Sequence, residues 1–106
     1  MKDNLIFKTT KQDLYNKGFH YNSLLSDDHE DWFTLKFPVL FYKNKPTVEC
    51  EIAVEPESGI CVINVFNANT REIYVPYYNH DFGRYITIKI IEKKISNKLK
   101  ALGIEV

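Results

Sequence analysis

TVECEIAVEPESGICVINVF, residues 47–66, decides the fold. Val48, Cys50, Ile52 and Val54 alternate with charged Glu49, Glu51 and Glu55, the period-two signature of a strand with one face buried and one in water. Pro56-Glu57-Ser58-Gly59 places a proline early and a glycine last, which suits a chain reversal, and Ile60–Phe66 is a second apolar run. Two strands joined by so short a turn must be antiparallel neighbours.

Working outward, Phe33, Leu35, Phe37, Val39 and Phe41 alternate with Thr34, Lys36, Pro38, Leu40 and Tyr42, which predicts a strand before the hairpin, with Lys43-Asn44-Lys45-Pro46 turning the chain. Pro38 cannot donate to a ladder, so this strand lies at an edge or carries a bulge. After the hairpin, Asn67-Ala68-Asn69-Thr70 reads as a turn and Arg71–Pro76 as a fourth strand. The expected sheet is a four-stranded antiparallel meander.

Ile88, Ile91, Ile95, Leu99 and Leu102 recur at intervals of three and four, and Gly103 follows them, which predicts a helix over 84–102 with one apolar stripe. The stripe needs a sheet face. Only the face carrying Cys50, Ile52, Val54, Cys61, Ile63 and Val65 can receive it, because the other presents glutamates that are costly to bury unpaired. Thr10 is a plausible N-cap for a helix of about two turns that ends before Gly18, with Leu14, Tyr15 and Phe19 able to dock it. Residues 20–31 are polar and turn-rich and read as loop. The chain of 106 residues is thus expected to form one α+β domain, 1–106.

Composition narrows the function classes. Lys plus Arg and Asp plus Glu are both 14, so no overall field draws the protein to nucleic acid or to an anionic membrane. The charge is uneven: residues 46–88 carry two basic and six acidic side chains, residues 89–106 five and two. No apolar run approaches the roughly 20 residues of a spanning helix, and the N-terminal stretch has no signal-peptide core, so a cytoplasmic location is expected. Cys50 and Cys61 fit a reducing compartment. With Glu55 opposite Ile60, the two cysteines sit four residues apart along the hairpin, roughly 13 Å, too far for a disulfide. They read as buried thiols.

Three segments are candidate sites. The acidic run Asp27-Asp28-His29-Glu30-Asp31 has carboxylates at alternate positions but lacks the glycine and closing glutamate of a calcium loop, so it reads as a solvated charge cluster. Lys89, Lys93, Lys94, Lys98 and Lys100 could follow a phosphate backbone, yet they are also what the wet side of an amphipathic helix requires. The third is VPYYNHDFGRY, 75–85, which with Tyr74 gathers Tyr77, Tyr78, His80, Asp81, Arg84 and Tyr85 before the long helix. As a catalytic group, Asp81 would orient His80 as a base while Arg84 held an anion, but no nucleophile or second acid accompanies them. As a recognition surface, Tyr, His and Arg are well suited to the centre of an interface. In the structural reading, Asn79 or Asp81 caps the helix.

The succession FPVLFY, INVFNANTREIYVPYY, GRY and an Ile/Lys helix ending KLKALGI resembles small uncharacterised proteins of phages and integrative elements in low-GC Gram-positive bacteria. The resemblance spans about residues 10–104 and brings no catalytic motif. It implies an intracellular accessory protein that binds a host or element protein, anti-defence inhibitors among them. The expectation is therefore a non-enzymatic protein-binding module, monomeric or homodimeric, with an unidentified protein partner and no metal or cofactor, using Tyr74, Tyr77, Tyr78, His80, Asp81, Arg84 and Tyr85. A ligand-binding domain or enzyme centred on 77–85 is the alternative, and nucleic-acid binding by the lysine face a second. Arg71–Pro76, with few edge defences, is the expected site of any sheet-extending dimer.

Overall fold

The computed structural model describes residues 5–104. In chain order these form β1 (Leu5–Ile6), α1 (Lys11–Asn16), β2 (His20–Tyr21), β3 (Phe33–Tyr42), β4 (Lys45–Glu55), β5 (Ile60–Asn67), α2 (Val75–Asn79), a 3-10 turn (Phe82–Arg84) and α3 (Tyr85–Ala101). The sheet is antiparallel throughout, in the order β1-β5-β4-β3-β2.

The hairpin is as its alternation predicts. Glu55 pairs with Ile60, Val54 with Cys61, Ile52 with Ile63 and Cys50 with Val65. Glu55 departs from the expected pattern: on the water-facing side of the strand it is nevertheless only 4% exposed. The PESG turn folds over it, and its carboxylate accepts from the Glu57 and Ser58 backbone N–H groups at 2.7 and 3.0 Å, so the burial leaves no oxygen stranded.

β3 bends where Pro38 suggests. The register with β4 shifts between Pro38 and Leu40 and again before Phe41, so Leu40 rather than Val39 pairs with Val48, and Phe41, opposite Pro46, is half exposed. The turn to β4 is two residues, Lys43 and Asn44, both with positive φ, the hairpin geometry that matches strand twist.

The four-stranded meander exists, but its outer member comes from the front of the chain. β2, inside the segment read as loop, pairs His20 with Thr34 and Tyr21 with Phe33. Residues 71–76 do not form a strand. A single bridge joins Ile73 to Phe66, after which the chain enters α2 with Pro76 in its first turn. Pro76 lacks an N–H, which a first helical turn does not need, and this position favours helix entry over a continuing ladder. The β5 edge is closed in two pieces: β1 pairs with Ile60 and Cys61, while the Tyr74 N–H donates to the Val65 carbonyl and the Val65 N–H donates to the Tyr78 hydroxyl at 2.8 Å. The expected open edge at 71–76 is thus replaced by a closure.

α3 lies where its stripe requires. Ile88, Ile91, Ile95 and Leu99 are buried with Cys50, Ile52, Val54, Cys61, Ile63 and Val65 in one apolar cluster, which Leu14, Phe19 and Phe33 join from the α1 end. Thr10 caps α1, its hydroxyl accepting from the Asp13 N–H. At the far end of α3, Gly103 adopts φ 78°, and its N–H and that of Ile104 donate to Lys100 and Leu99 carbonyls, which carries Ile104 back into the core.

Candidate functional site

Residues 74–85 divide into an inside and an outside. Tyr74 and Tyr77 are buried in the core cluster and offer little to a partner. Tyr78 is partly exposed, but its hydroxyl is the acceptor that closes the β5 edge. His80, Asp81, Arg84 and Tyr85 are exposed.

The backbone explains why His80 stands out. It ends α2 in the left-handed conformation, φ 50° and ψ 51°, a region His tolerates better than most side chains. The reversal turns the chain away from the sheet, and Asp81 begins the next turn. Asp81 does not cap α3 as expected, and neither does Asn79: the residue at the cap position is Arg84, with no side-chain cap. The Asp81 carboxylate instead accepts from the Gly83 N–H at 2.9 Å and reaches Arg84 Nε at 3.9 Å, fixing the single 3-10 turn. Both partners of that ion pair are about half exposed, so water screens most of its strength.

His80 and Asp81 line a cleft of about 250 Å³ together with Tyr85, Ile88, Lys89 and Glu92. Arg84 is not part of its lining. One Asp81 oxygen serves Gly83 and the other faces Arg84, and among the described residues no serine, threonine or cysteine lines the cleft. Lys89 leans over the Tyr85 ring at 5.4 Å and lies 3.8 Å from Glu92, leaving the cleft with both signs of charge beside an aromatic wall.

The other sequence candidates are placed as follows. Asp27 accepts from the His29 and Glu30 N–H groups, and Asp31 pairs with Lys11 at 2.8 Å; among the described residues no cluster of three or more ligating side chains could hold a metal ion. The Lys94 and Lys98 ammonium groups lie over the Phe41 and Phe37 rings of β3, at 5.2 and 5.5 Å from the centroids, in cation–π contact. Cys50 and Cys61 are free and buried, and desolvation pushes their thiols up to about 12 and about 11, the former helped by the nearby Glu51 and Cys61. Thiols so far above neutral pH are poor nucleophiles.

Two residues escaped the sequence reading. Ile86 is 75% exposed and Ile90 42%, and being four apart they share one face of α3, pointing away from the buried stripe. With Tyr85, 58% exposed, they give the first two turns of the helix an apolar outer surface beside the His80 cleft. Their signal was available: in YITIKII Ile86 stands two residues ahead of the 88/91/95 stripe and Ile90 between its first two members, off-stripe positions where an amphipathic helix ordinarily carries polar residues.

No protein-family model matches the chain, and no curated protein does. Among solved structures it is similar to a DUF1831 family protein from Lactobacillus plantarum, a low-GC Gram-positive bacterium, with a TM-score of 0.55 over 91% of this chain and 78% of the other at 10% identity. That likeness is one of fold. The α+β architecture, an antiparallel sheet with a C-terminal helix and short helices, is shared, and no described helix is long and apolar enough to cross a membrane.

Proposed function

We propose that this protein is a non-enzymatic protein-binding module that docks its partner on the entrance of α3. The observation that carries the reading is the exposure of Tyr85, Ile86 and Ile90 on one end of a helix whose inner stripe already satisfies the core. Apolar groups clustered at a surface and bordered by polar ones mark contact sites more often than chance exposure does. His80, Asp81, Arg84 and Lys89 supply that polar border, and the His80 cleft could receive one anchoring side chain of the partner. The resemblance to mobile-element proteins suggests a host protein as partner and inhibition of it, in the manner of anti-defence proteins, as the outcome.

Affinity capture tests this with two baits, the natural protein and a Tyr85→Ser/Ile86→Ser/Ile90→Ser variant. A protein held by the first and lost from the second supports the reading. Identical captures from both baits, or none from either, would overturn it. The cleft also favours a second reading as a small-ligand site: a compound that raises the melting temperature of the natural protein but not of His80→Ala would establish that reading in place of the first.

A further inference from the structure

The outer side of α3 does not end at Ile90. Ile86, Ile90, Lys93, Asn97 and Lys100 follow one another at alternating intervals of four and three, which sets them in a single row along the helix, and all five are exposed. At about 1.5 Å per residue the row is about 21 Å long. Its character changes partway: two isoleucines at the entrance, then two lysines with an asparagine between them.

The fold engages the other lysines of this helix. Lys94 and Lys98 lie over the Phe41 and Phe37 rings, and Lys89 lies over Tyr85 and beside Glu92. The side chains of Lys93 and Lys100 enter no ion pair or ring contact among the described residues. α3 carries five lysines against the single Glu92, so the field along the row is positive. A partner that covers Ile86 and Ile90 and continues along the helix meets Lys93 and Lys100 next.

We infer that the partner presents an acidic amphipathic helix that lies along this row, its apolar end against Ile86 and Ile90 and its carboxylates against Lys93 and Lys100. This rests on the docking at the α3 entrance proposed above and names the chemistry of what docks there. A helix fits because side chains repeating at three and four residues interlock with the same repeat on a second helix. Asn97, between the two lysines, offers both a donor and an acceptor, and a polar residue within such a seam fixes its register. Carboxylates follow from charge. Covering either lysine with a neutral surface would cost its hydration with nothing in return, whereas an opposite charge offsets that cost and steers the approach. The same reasoning excludes a second copy of α3 as the occupant: aligned over the whole row, parallel or antiparallel, two copies bring Lys93 against Lys93.

The probes are three synthetic helical peptides of about 18 residues. They share leucines at the positions that face Ile86 and Ile90, and at those that face the lysines they carry Glu, Gln or Lys. Binding is read by fluorescence anisotropy to the natural protein and to a Lys93→Glu/Lys100→Glu variant, whose substitutions fall on exposed side chains. The Glu peptide is expected to bind the natural protein about tenfold more tightly than the Gln peptide in about 50 mM salt, an advantage that shrinks in about 0.5 M salt. The charge-reversed variant is expected to prefer the Lys peptide. Equal binding of all three, binding of none, or a Glu preference that survives the charge reversal would overturn the inference, as would phosphatidylserine vesicles or a DNA duplex bound through Lys93 and Lys100 in place of the Glu peptide. Affinity capture separates this inference from the reading beneath it. A partner kept by the charge-reversed bait but lost from Tyr85→Ser/Ile86→Ser/Ile90→Ser would overturn the acidic helix and leave the docking site standing; a partner kept by both baits would overturn the docking site itself.

Discussion

Ile90 and Ile91 are neighbours in the chain and identical in chemistry, yet Ile91 is fully buried against the sheet while Ile90 is 42% exposed on the far side of the same helix. The inner row, Ile88, Ile91, Ile95 and Leu99, is dictated by the apolar face of the hairpin beneath it. The outer pair, Ile86 and Ile90, is dictated by nothing in the fold. A helix needs only one apolar stripe to dock, so apolar side chains left over on its wet side are the part of the sequence that folding does not explain.

The comparison sharpens most strongly at the inner row. Truncating Ile91 or Ile95 to alanine opens a cavity in a packed core and is expected to cost about 2–5 kcal/mol, much of the stability of a domain this size. Urea denaturation should show a lower midpoint with an unchanged slope. A smaller loss is expected at the edge closure. Tyr78→Phe removes the hydroxyl that accepts from the Val65 N–H and leaves a buried donor unpaired, at a cost of about 1–3 kcal/mol, read in the same assay.

Glu55 gives a pH-dependent effect. Desolvation pushes its carboxyl up, but hydrogen bonds from Ser58 and Glu57 outweigh it and hold the pKa below the ordinary 4.5. A carboxylate with a lowered folded-state pKa stabilises the fold fully above its unfolded value and loses that contribution as pH falls through the folded one. Stability of the natural protein is therefore expected to decline as pH drops below about 4.5, and Glu55→Gln to show a shallower decline over that range, measured by thermal melts from pH 6 to pH 2.5. Equal slopes would show that the turn amides do not hold the charged form.

The fold was legible wherever a signal repeats along one element. The hairpin alternates over two full strands, and the α3 stripe recurs over about four turns, so both faces could be assigned from spacing alone. β1 and β2 are two residues each, too short for any period, and exist only because β5 and β3 offer edges to them. Arg71–Pro76 misled because Ile73 and Val75 are β-branched and alternate; the chain leaves the sheet because Pro76 favours a helix start and Tyr78 then supplies the acceptor that a ladder would have given. The candidate site was legible as a location but not as a surface. Tyr74 and Tyr77 turn inward and His80 outward for reasons of backbone direction that appear only once α2 is in place. Ile86 and Ile90 stood in the sequence as exceptions to a stripe, and exceptions to a structural pattern are where function is best sought.

The smallest effect on folding is expected at the outer isoleucines, and the adjacent pair makes the most direct test. Ile90→Ala and Ile91→Ala would be compared by melting temperature and by capture of the partner that the natural bait retains. Ile91→Ala is expected to lower the melting temperature by about 10 °C or more, with capture preserved while the protein remains folded. Ile90→Ala is expected to shift it by no more than about 2 °C while the partner is lost. Equal melting shifts, or capture undiminished by Ile90→Ala, would contradict the division of this helix into an inner face that folds the protein and an outer face that binds.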